Sequence, residues 1–189
     1  MKTLDISDII PIAEYEKQRD ARRKAAMAQR ARRLVQLGDK LALHFETRDT
    51  LIYQIQEMMR VENMTSVDAI LEEIEVYGDL LPRDGVLSAT LFIQLTTDAD
   101  LRTWLPLFTQ LEGNLALKIG SEMIQAEFEP GRTREDKTSS VHYVKFRLNE
   151  KQRAALKQSP AEFVCTLQKY GRSAPVNDDL RKELLADLE

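Results

Sequence analysis

The hydrophobic pattern changes its period once within residues 41–59, and this change constrains the fold more than any other feature. Leu41, Leu43 and Phe45 alternate with residues of the opposite face, which is the period of two expected for a half-buried strand. After Asp49 the apolar residues share one arc of a helical wheel: Leu51, Ile52, Ile55, Met58 and Met59. The sequence therefore predicts a strand that leads directly into an amphipathic helix.

Polar and ionisable side chains are concentrated where this strand meets this helix. Thr47 or Asp49 can cap the helix, because a short side-chain oxygen accepts a hydrogen bond from an N–H group of the first turn. Gln56 lies at the edge of the apolar arc, so its amide needs hydrogen-bond partners. The sequence predicts a polar ligand-binding site here, built from Glu46, Arg48, Asp49, Gln56 and Glu57. In the alternative, a capped helix carries only a solvated pair between Glu57 and Arg60.

Arg48 is the residue of this junction best placed to bind an anion. With Asp49 as the cap, Arg48 precedes the helix, and its guanidinium can reach over the first turn. The helix N-terminus carries partial positive charge from its unpaired N–H groups. In the alternative, Arg48 pairs with Glu46 or Glu57 and stabilises the fold.

The residues of this junction also carry a resemblance to a known family. Residues 45–50 and 53–58 resemble the signature of a bacterial family of unknown function, and residues 87–91 and 139–143 are similar to it as well. The resemblance covers nearly the whole chain. Genes of that family often lie beside those for rubrerythrin and a heterodisulfide-reductase-like iron–sulfur protein. The resemblance implies an accessory or interaction protein of a bacterial redox or iron–sulfur system, and it assigns no activity, cofactor or catalytic residue.

The composition is that of one globular, soluble domain spanning residues 1–189. Hydrophobic residues make up 43% of the chain, charged residues 31%, and the net charge is −4. This charge gives no general attraction to nucleic acid. The single cysteine excludes an internal disulfide and a cysteine zinc cluster. Without a signal peptide or an apolar run of about 18 residues, we expect a cytoplasmic protein that does not bind membranes.

A long basic helix is predicted at the N-terminus, over about residues 12–37 and ending at Gly38. One face of this helix carries arginines, of which we assign four to partner binding: Arg19, Arg23, Arg30 and Arg33. The opposite face carries alanines that suit close packing on the body of the protein: Ala13, Ala21, Ala25, Ala28 and Ala31. The arginines can instead pair with acids of this chain. Nucleic-acid binding is a further alternative, which the net charge and the lack of interleaved aromatic residues disfavour.

Strand and helix patterns in the rest of the chain indicate the fold class. Period-two segments occur at residues 86–96, 115–119, 123–128, 141–148 and 162–170, and helices are predicted after Ser66, Asn149 and Asn177 and near residue 100. We therefore predict an α+β fold. It has a mostly antiparallel sheet of about six strands, with helices packed on one face and the basic helix at the N-terminus.

His142 is the other candidate ligand-binding residue. It alternates with Val144 and Phe146, so it falls on the apolar face of its strand. Such a histidine is either a hydrogen-bonded core residue or a ligand facing a cavity. His44, Glu46 and His142 can supply three metal ligands only if their two strands are neighbours, and we assign no metal site. A small-molecule or metal-binding enzyme that uses the junction is thus an alternative to the accessory role, and the sequence leaves homo-oligomer formation open.

Overall fold

The computed structural model describes residues 3–83, 85–131, 133 and 138–188. They form two compact units. A helical unit combines Met1–Arg33 with Glu46–Pro82, and a strand unit combines Leu34–Phe45 with Arg83–Glu189. The predicted strand–helix junction is thus also the point where the chain passes from one unit to the other. In the described residues, no helix combines the length and the apolar character needed to cross a membrane.

Among its described residues, the helical unit contains three α-helices, preceded by a short 3-10 helix at Ile6–Asp8. They are α1 (Ile12–Arg32), α2 (Arg48–Glu62) and α3 (Val67–Gly78). Ser66 caps α3 as predicted, since its side chain accepts a hydrogen bond from the Ala69 N–H. The buried face of α2 includes Leu51, Ile55 and Met59, which confirms the amphipathic pattern.

The orientation of α1 about its own axis is opposite to the predicted one. All five alanines expected to pack inward are exposed, namely Ala13, Ala21, Ala25, Ala28 and Ala31. Tyr15 is buried, and Arg19 donates hydrogen bonds to Glu57 of α2. The arginine side packs inward because α2 supplies acceptors for its guanidinium groups, and because the long aliphatic stem of arginine covers apolar surface.

In the part of the strand unit that the structure describes, the strands form two antiparallel sheets. The first has the order β1-β2-β3-β7-β6 and the second the order β5-β4-β8-β9. The elements are β1 (Leu34–Leu37), β2 (Leu41–Phe45), β3 (Val86–Ile93), α4 (Asp98–Phe108), β4 (Leu115–Ile119), β5 (Glu122–Gln125), β6 (Glu127–Phe128), β7 (Val141–Arg147), α5 (Glu150–Gln158), β8 (Ala161–Cys165), β9 (Arg172–Pro175) and α6 (Asp178–Asp187). The predicted α+β class with antiparallel pairing is confirmed. The strands, however, divide between a five-stranded and a four-stranded sheet, where one sheet of about six was expected.

Strand β1 occupies residues that the sequence assigned to the end of the N-terminal helix. The helix ends at Arg32, and Gly38 turns the chain from β1 into β2 with φ of +71°. A Cβ atom at Gly38 would lie 2.8 Å from the Tyr170 hydroxyl oxygen, so glycine is required for its space as well as its backbone conformation. The Tyr170 hydroxyl donates to the Leu37 carbonyl at 2.6 Å and accepts the Lys40 N–H at 2.9 Å.

The core of the strand unit is apolar and closely packed. Phe45, Phe146 and Phe163 form its aromatic centre, with ring centroids 5.0–6.4 Å apart. A second aromatic group joins α4 to the chain after β8, where the Trp104 and Phe108 rings both contact Tyr170. Burial of these rings supplies much of the hydrophobic stabilisation of this unit.

Candidate functional site

The start of α2 is held by a reciprocal cap between two threonines. The Thr47 hydroxyl oxygen accepts the Thr50 N–H at 3.2 Å, and the Thr50 hydroxyl oxygen accepts the Thr47 N–H at 2.9 Å. Of the two predicted caps, the structure therefore uses Thr47. Arg48 is the first residue of the helix and Asp49 the second, so Asp49 is not bound to the terminal N–H groups as a cap would be.

Arg48 pairs with a residue that the sequence did not suggest. Its guanidinium forms an ion pair with Asp8 in the 3-10 helix, and its Nε donates to the Thr3 carbonyl at 3.3 Å. In the alternative considered from the sequence, Arg48 would pair with Glu46 or Glu57, but its ion-pair partner is Asp8. A side chain in the first turn of a helix points back toward the N-terminus, and the segment before α1 presents Asp8 there.

Two buried polar residues of the predicted site have structural partners. Glu46 is 2% exposed and accepts a hydrogen bond from the Thr50 hydroxyl at 2.9 Å. Gln56 is fully buried, and its amide accepts the Ile10 N–H at 2.8 Å and donates to the Ile10 carbonyl at 3.1 Å. The predicted need of Gln56 for partners is confirmed. Its amide fixes the segment before α1 against α2.

Glu57 is the centre of an ion-pair network between α1 and α2. Its two carboxylate oxygens accept hydrogen bonds from Nε and Nη2 of Arg19 at 2.8 and 2.9 Å, and the Tyr15 hydroxyl donates at 2.6 Å. Arg60 lies farther away, at 3.5 Å. The hydrogen bond from Arg19, with that from Tyr15, lowers the pKa of Glu57 to about 2. Burial, together with the bond to Glu57, raises the pKa of Tyr15.

A cleft of about 360 Å³ opens between the 3-10 helix, α1 and α2. It is lined by Asp8, Arg22, Ala25, Ala26, Gln29, Arg48, Asp49, Ile52 and Tyr53. It brings together Arg48 and Asp49 of the predicted site. Glu46, Gln56 and Glu57 do not line it. The cleft residues on α1 were not predicted, because the sequence gives no signal for which face of α1 meets α2.

Four polar side chains around this cleft have donors or acceptors that no other described residue binds. Arg22 uses only its Nε, which donates to the Gln18 amide oxygen at 3.2 Å. The side chains of Gln29, Asp49 and Tyr53 form no hydrogen bond or ion pair within the described part of the chain. Ala26 and Ile52 add a buried apolar surface. Six of the nine lining residues are polar and three are apolar, so the cleft offers hydrogen-bonding groups beside a small apolar surface.

The four arginines assigned to partner binding differ in their surroundings. Arg19 binds Glu57, and Nη2 of Arg30 donates to the Gln54 amide oxygen at 2.8 Å. Arg33 is 1% exposed. Arg23 is exposed to solvent. Three of the four thus contact the protein itself, and Arg19 pairs with an acid of this chain, as in the alternative use of this face.

His142 lies in the strand unit as a buried, hydrogen-bonded residue. Its Nε2 atom is 2.9 Å from the Ser139 carbonyl oxygen and 2.9 Å from the Thr138 hydroxyl oxygen. Because a carbonyl only accepts, Nε2 carries the ring hydrogen. The imidazole also contacts the Phe128 ring edge-on at 5.6 Å. These contacts agree with the reading of His142 as a core residue.

The strand register separates the two histidines considered as metal ligands. His44 on β2 is opposite Thr90 of β3, whereas His142 on β7 is opposite Leu91. Because β3 lies between the two strands and successive residues face opposite sides, the two imidazoles point to opposite faces of the sheet. The three-ligand set of His44, Glu46 and His142 does not form. Among the described residues, no group of three or more histidine, cysteine or acidic side chains is arranged to hold a metal ion.

The fold and the cleft define an α+β protein in which a helical unit carries a small polar cleft and a strand unit has a separate apolar core. The chain belongs to the family described as "Protein of unknown function (DUF3501)", which it matches over residues 3–188.

A crystal structure of a protein of unknown function from Burkholderia pseudomallei is similar to this chain. The two sequences are 30% identical, the match covers all of both chains, and the TM-score is 0.91. A search of curated proteins found no match. The resemblance inferred from the junction residues is thus confirmed at the level of a family of unknown function.

Proposed function

We propose that this protein is a cytoplasmic accessory protein of a bacterial redox or iron–sulfur system, and that it acts by binding a small polar ligand in the cleft of its helical unit. One observation carries the binding role. Arg22, Gln29, Asp49 and Tyr53 line a cleft of about 360 Å³, and their one side-chain hydrogen bond within the described part of the chain is that of Arg22 with Gln18. Arg22, Gln29 and Tyr53 are partly exposed and Asp49 is exposed, so their polar groups are available to a ligand that enters the cleft.

The residues next to the cleft support this proposal, because they fix its walls before a ligand arrives. The Arg19–Glu57 ion pair joins α1 to α2 one helical turn from Arg22. Gln56 ties Ile10 to the same helix, and Arg48 ties Asp8 to its first turn. A site with fixed walls loses less conformational entropy on binding. Glu57 and Gln56 thus act as positioning residues for the cleft.

The redox or iron–sulfur part of the proposal rests on the genes that often accompany this family. A partner protein also needs a surface, and α3 offers one. Val67 and Leu71 lie one turn apart on this helix and are 57% and 45% exposed. Adjacent exposed apolar side chains are a common element of protein interfaces.

The ligand-binding role is tested by blocking the cleft. Ala25 is exposed and lines the cleft, whereas Ala28 is exposed on the same helix and does not. We expect polar fragments to bind wild type and Ala28→Trp, and we expect this binding to shift the NMR signals of Ile52 and Tyr53. The fragments should not bind Ala25→Trp. Equal binding to Ala25→Trp, with unchanged far-UV circular dichroism, would overturn the proposal.

The partner role is tested by calorimetric titration with the rubrerythrin and the heterodisulfide-reductase-like protein of the same genome. Replacing Val67 and Leu71 together by serine should weaken binding at least tenfold. Val76→Ser is the matched control, because Val76 is exposed on the opposite side of α3. If neither protein binds wild type, the assignment to this system is wrong, while the cleft experiment remains independent of it.

A further inference from the structure

The charges around the cleft are opposite in sign and only partly neutralised. Asp8 and Arg48 form an ion pair with each other. This leaves Arg22 on α1 and Asp49 on α2, which line the same cleft without forming an ion pair with each other. The cleft therefore presents one uncommitted cation on one wall and one uncommitted anion on the other.

We infer that the ligand is a small zwitterion that carries one carboxylate and one amine. This inference rests on the proposed binding function and assigns its ligand class. The ligand carboxylate binds the terminal nitrogens of Arg22, which are planar donors suited to two parallel hydrogen bonds. The ligand ammonium group binds the Asp49 carboxylate.

Ligands of a single charge fit this cleft less well. A monoanion is attracted by Arg22 and repelled by Asp49, and a monocation has the reverse problem. A zwitterion satisfies both groups and brings no net charge. Gln29 and Tyr53 supply further donors and acceptors, while Ala26 and Ile52 provide an apolar surface for a short alkyl body.

The spacing of the two ligand charges is measured with ω-amino acids of increasing length, from glycine to 6-aminohexanoate. Matched controls are the n-alkyl carboxylates and n-alkylamines of the same length. NMR titration of the full-length protein gives the dissociation constants. We expect one chain length to bind best, at least tenfold more tightly than its singly charged analogues. Equal affinity for the analogues would overturn the inference.

Two variants test which residue binds each charged group of the ligand. Arg22→Gln should remove the affinity gained from the ligand carboxylate, and Asp49→Asn should remove the affinity gained from the ligand amine. Each variant should weaken binding of the best ω-amino acid at least tenfold. Lys24→Gln is the control, because Lys24 is exposed on α1 and does not line the cleft. Far-UV circular dichroism checks that every variant is folded. If Asp49→Asn binds the best zwitterion as tightly as wild type does, Asp49 does not bind the ligand amine and the inference is wrong.

The inference and the proposed function fail in different ways. If uncharged fragments occupy the cleft and no ω-amino acid binds, the ligand class is wrong and the binding role stands. If neither fragments nor ω-amino acids shift the signals of Ile52 and Tyr53, both are wrong.

Discussion

The Glu57 carboxylate accepts two hydrogen bonds from the Arg19 guanidinium, at 2.8 and 2.9 Å, and so joins α2 to α1. The Tyr15 hydroxyl adds a third hydrogen bond to the same carboxylate. Both side chains of the ion pair are less than a quarter exposed. Charged hydrogen bonds of this geometry are stronger than neutral ones. The side of α1 that carries arginines is therefore a structural contact within the helical unit.

The stability of the helical unit should fall in acid because of Glu57. The pKa of Glu57 is about 2 in the folded protein, whereas the ordinary pKa of a glutamate side chain is 4.5. The stabilisation is thus fully present above pH 4.5 and is lost as the pH falls from 4.5 toward 2. We expect Glu57→Gln to reduce the free energy of unfolding by about 1–3 kcal/mol at pH 7. Urea unfolding at pH 7 and pH 3 should show that this difference shrinks in acid. A difference that is the same at both values would contradict the role of the carboxylate charge.

Replacing Gln56 by leucine should destabilise the helical unit by about 1–3 kcal/mol, because the Ile10 N–H and carbonyl would lose their partners. Thermal or urea unfolding measures this loss. Gln168→Leu is the control, since Gln168 is exposed, and it should change stability by less than about 0.5 kcal/mol. Unchanged stability of Gln56→Leu would show that water replaces the lost amide.

Arg48→Lys should leave the fold intact and weaken binding in the cleft at least tenfold, which is about 1.4 kcal/mol. Lysine has one terminal nitrogen, so it does not reproduce the contacts of a guanidinium with both Asp8 and Thr3. Asp8 would then be less firmly held at the edge of the cleft. Calorimetric titration with the best-binding ω-amino acid measures the change, with Arg102→Lys as an exposed control. Wild-type affinity of a folded Arg48→Lys protein would remove Arg48 from the site.

His142→Gln should lower the free energy of unfolding by about 1–3 kcal/mol, because it disturbs hydrogen bonds to Ser139 and Thr138 in a buried position. The metal content of the purified protein, measured without a histidine tag, should be the same for both proteins. Loss of stoichiometric metal with an unchanged melting temperature would instead make His142 a ligand.

The sequence predicted those features that depend on local pattern. The strand over β2, the buried face of α2 and the caps at Ser66, Asn149 and Asn177 follow from periodicity and from short polar side chains. Strand β1 was missed because it has only four residues and follows a helix without a proline or glycine between them. Its turn depends on Tyr170, which is far away in sequence.

The cleft shows why sites are harder to predict than elements. Arg48 was recognised as a functional candidate, but its partner Asp8 lies 40 residues earlier. The inward direction of the arginines on α1 depends on Glu57 and Gln54 of another helix. No periodicity within α1 contains that information. The residues of the predicted junction site are therefore divided between a structural network, which includes Gln56 and Glu57, and an open cleft, which Arg48 and Asp49 line.

The hydrogen bond between the Tyr170 hydroxyl and Leu37 has a consequence for the order of folding. It spans 133 residues. Contacts between residues far apart in sequence form late, because closing the long loop between them costs conformational entropy that the contact repays only once it has formed. Strands β1 and β2 are synthesised before the other strands, yet the side chain that contacts their turn comes from Tyr170, near the C-terminus. During synthesis this turn gains its contact with Tyr170 only after residue 170 has been made. A deletion that begins before Tyr170 is thus expected to disturb the turn at Gly38 as well as to remove β9 and α6.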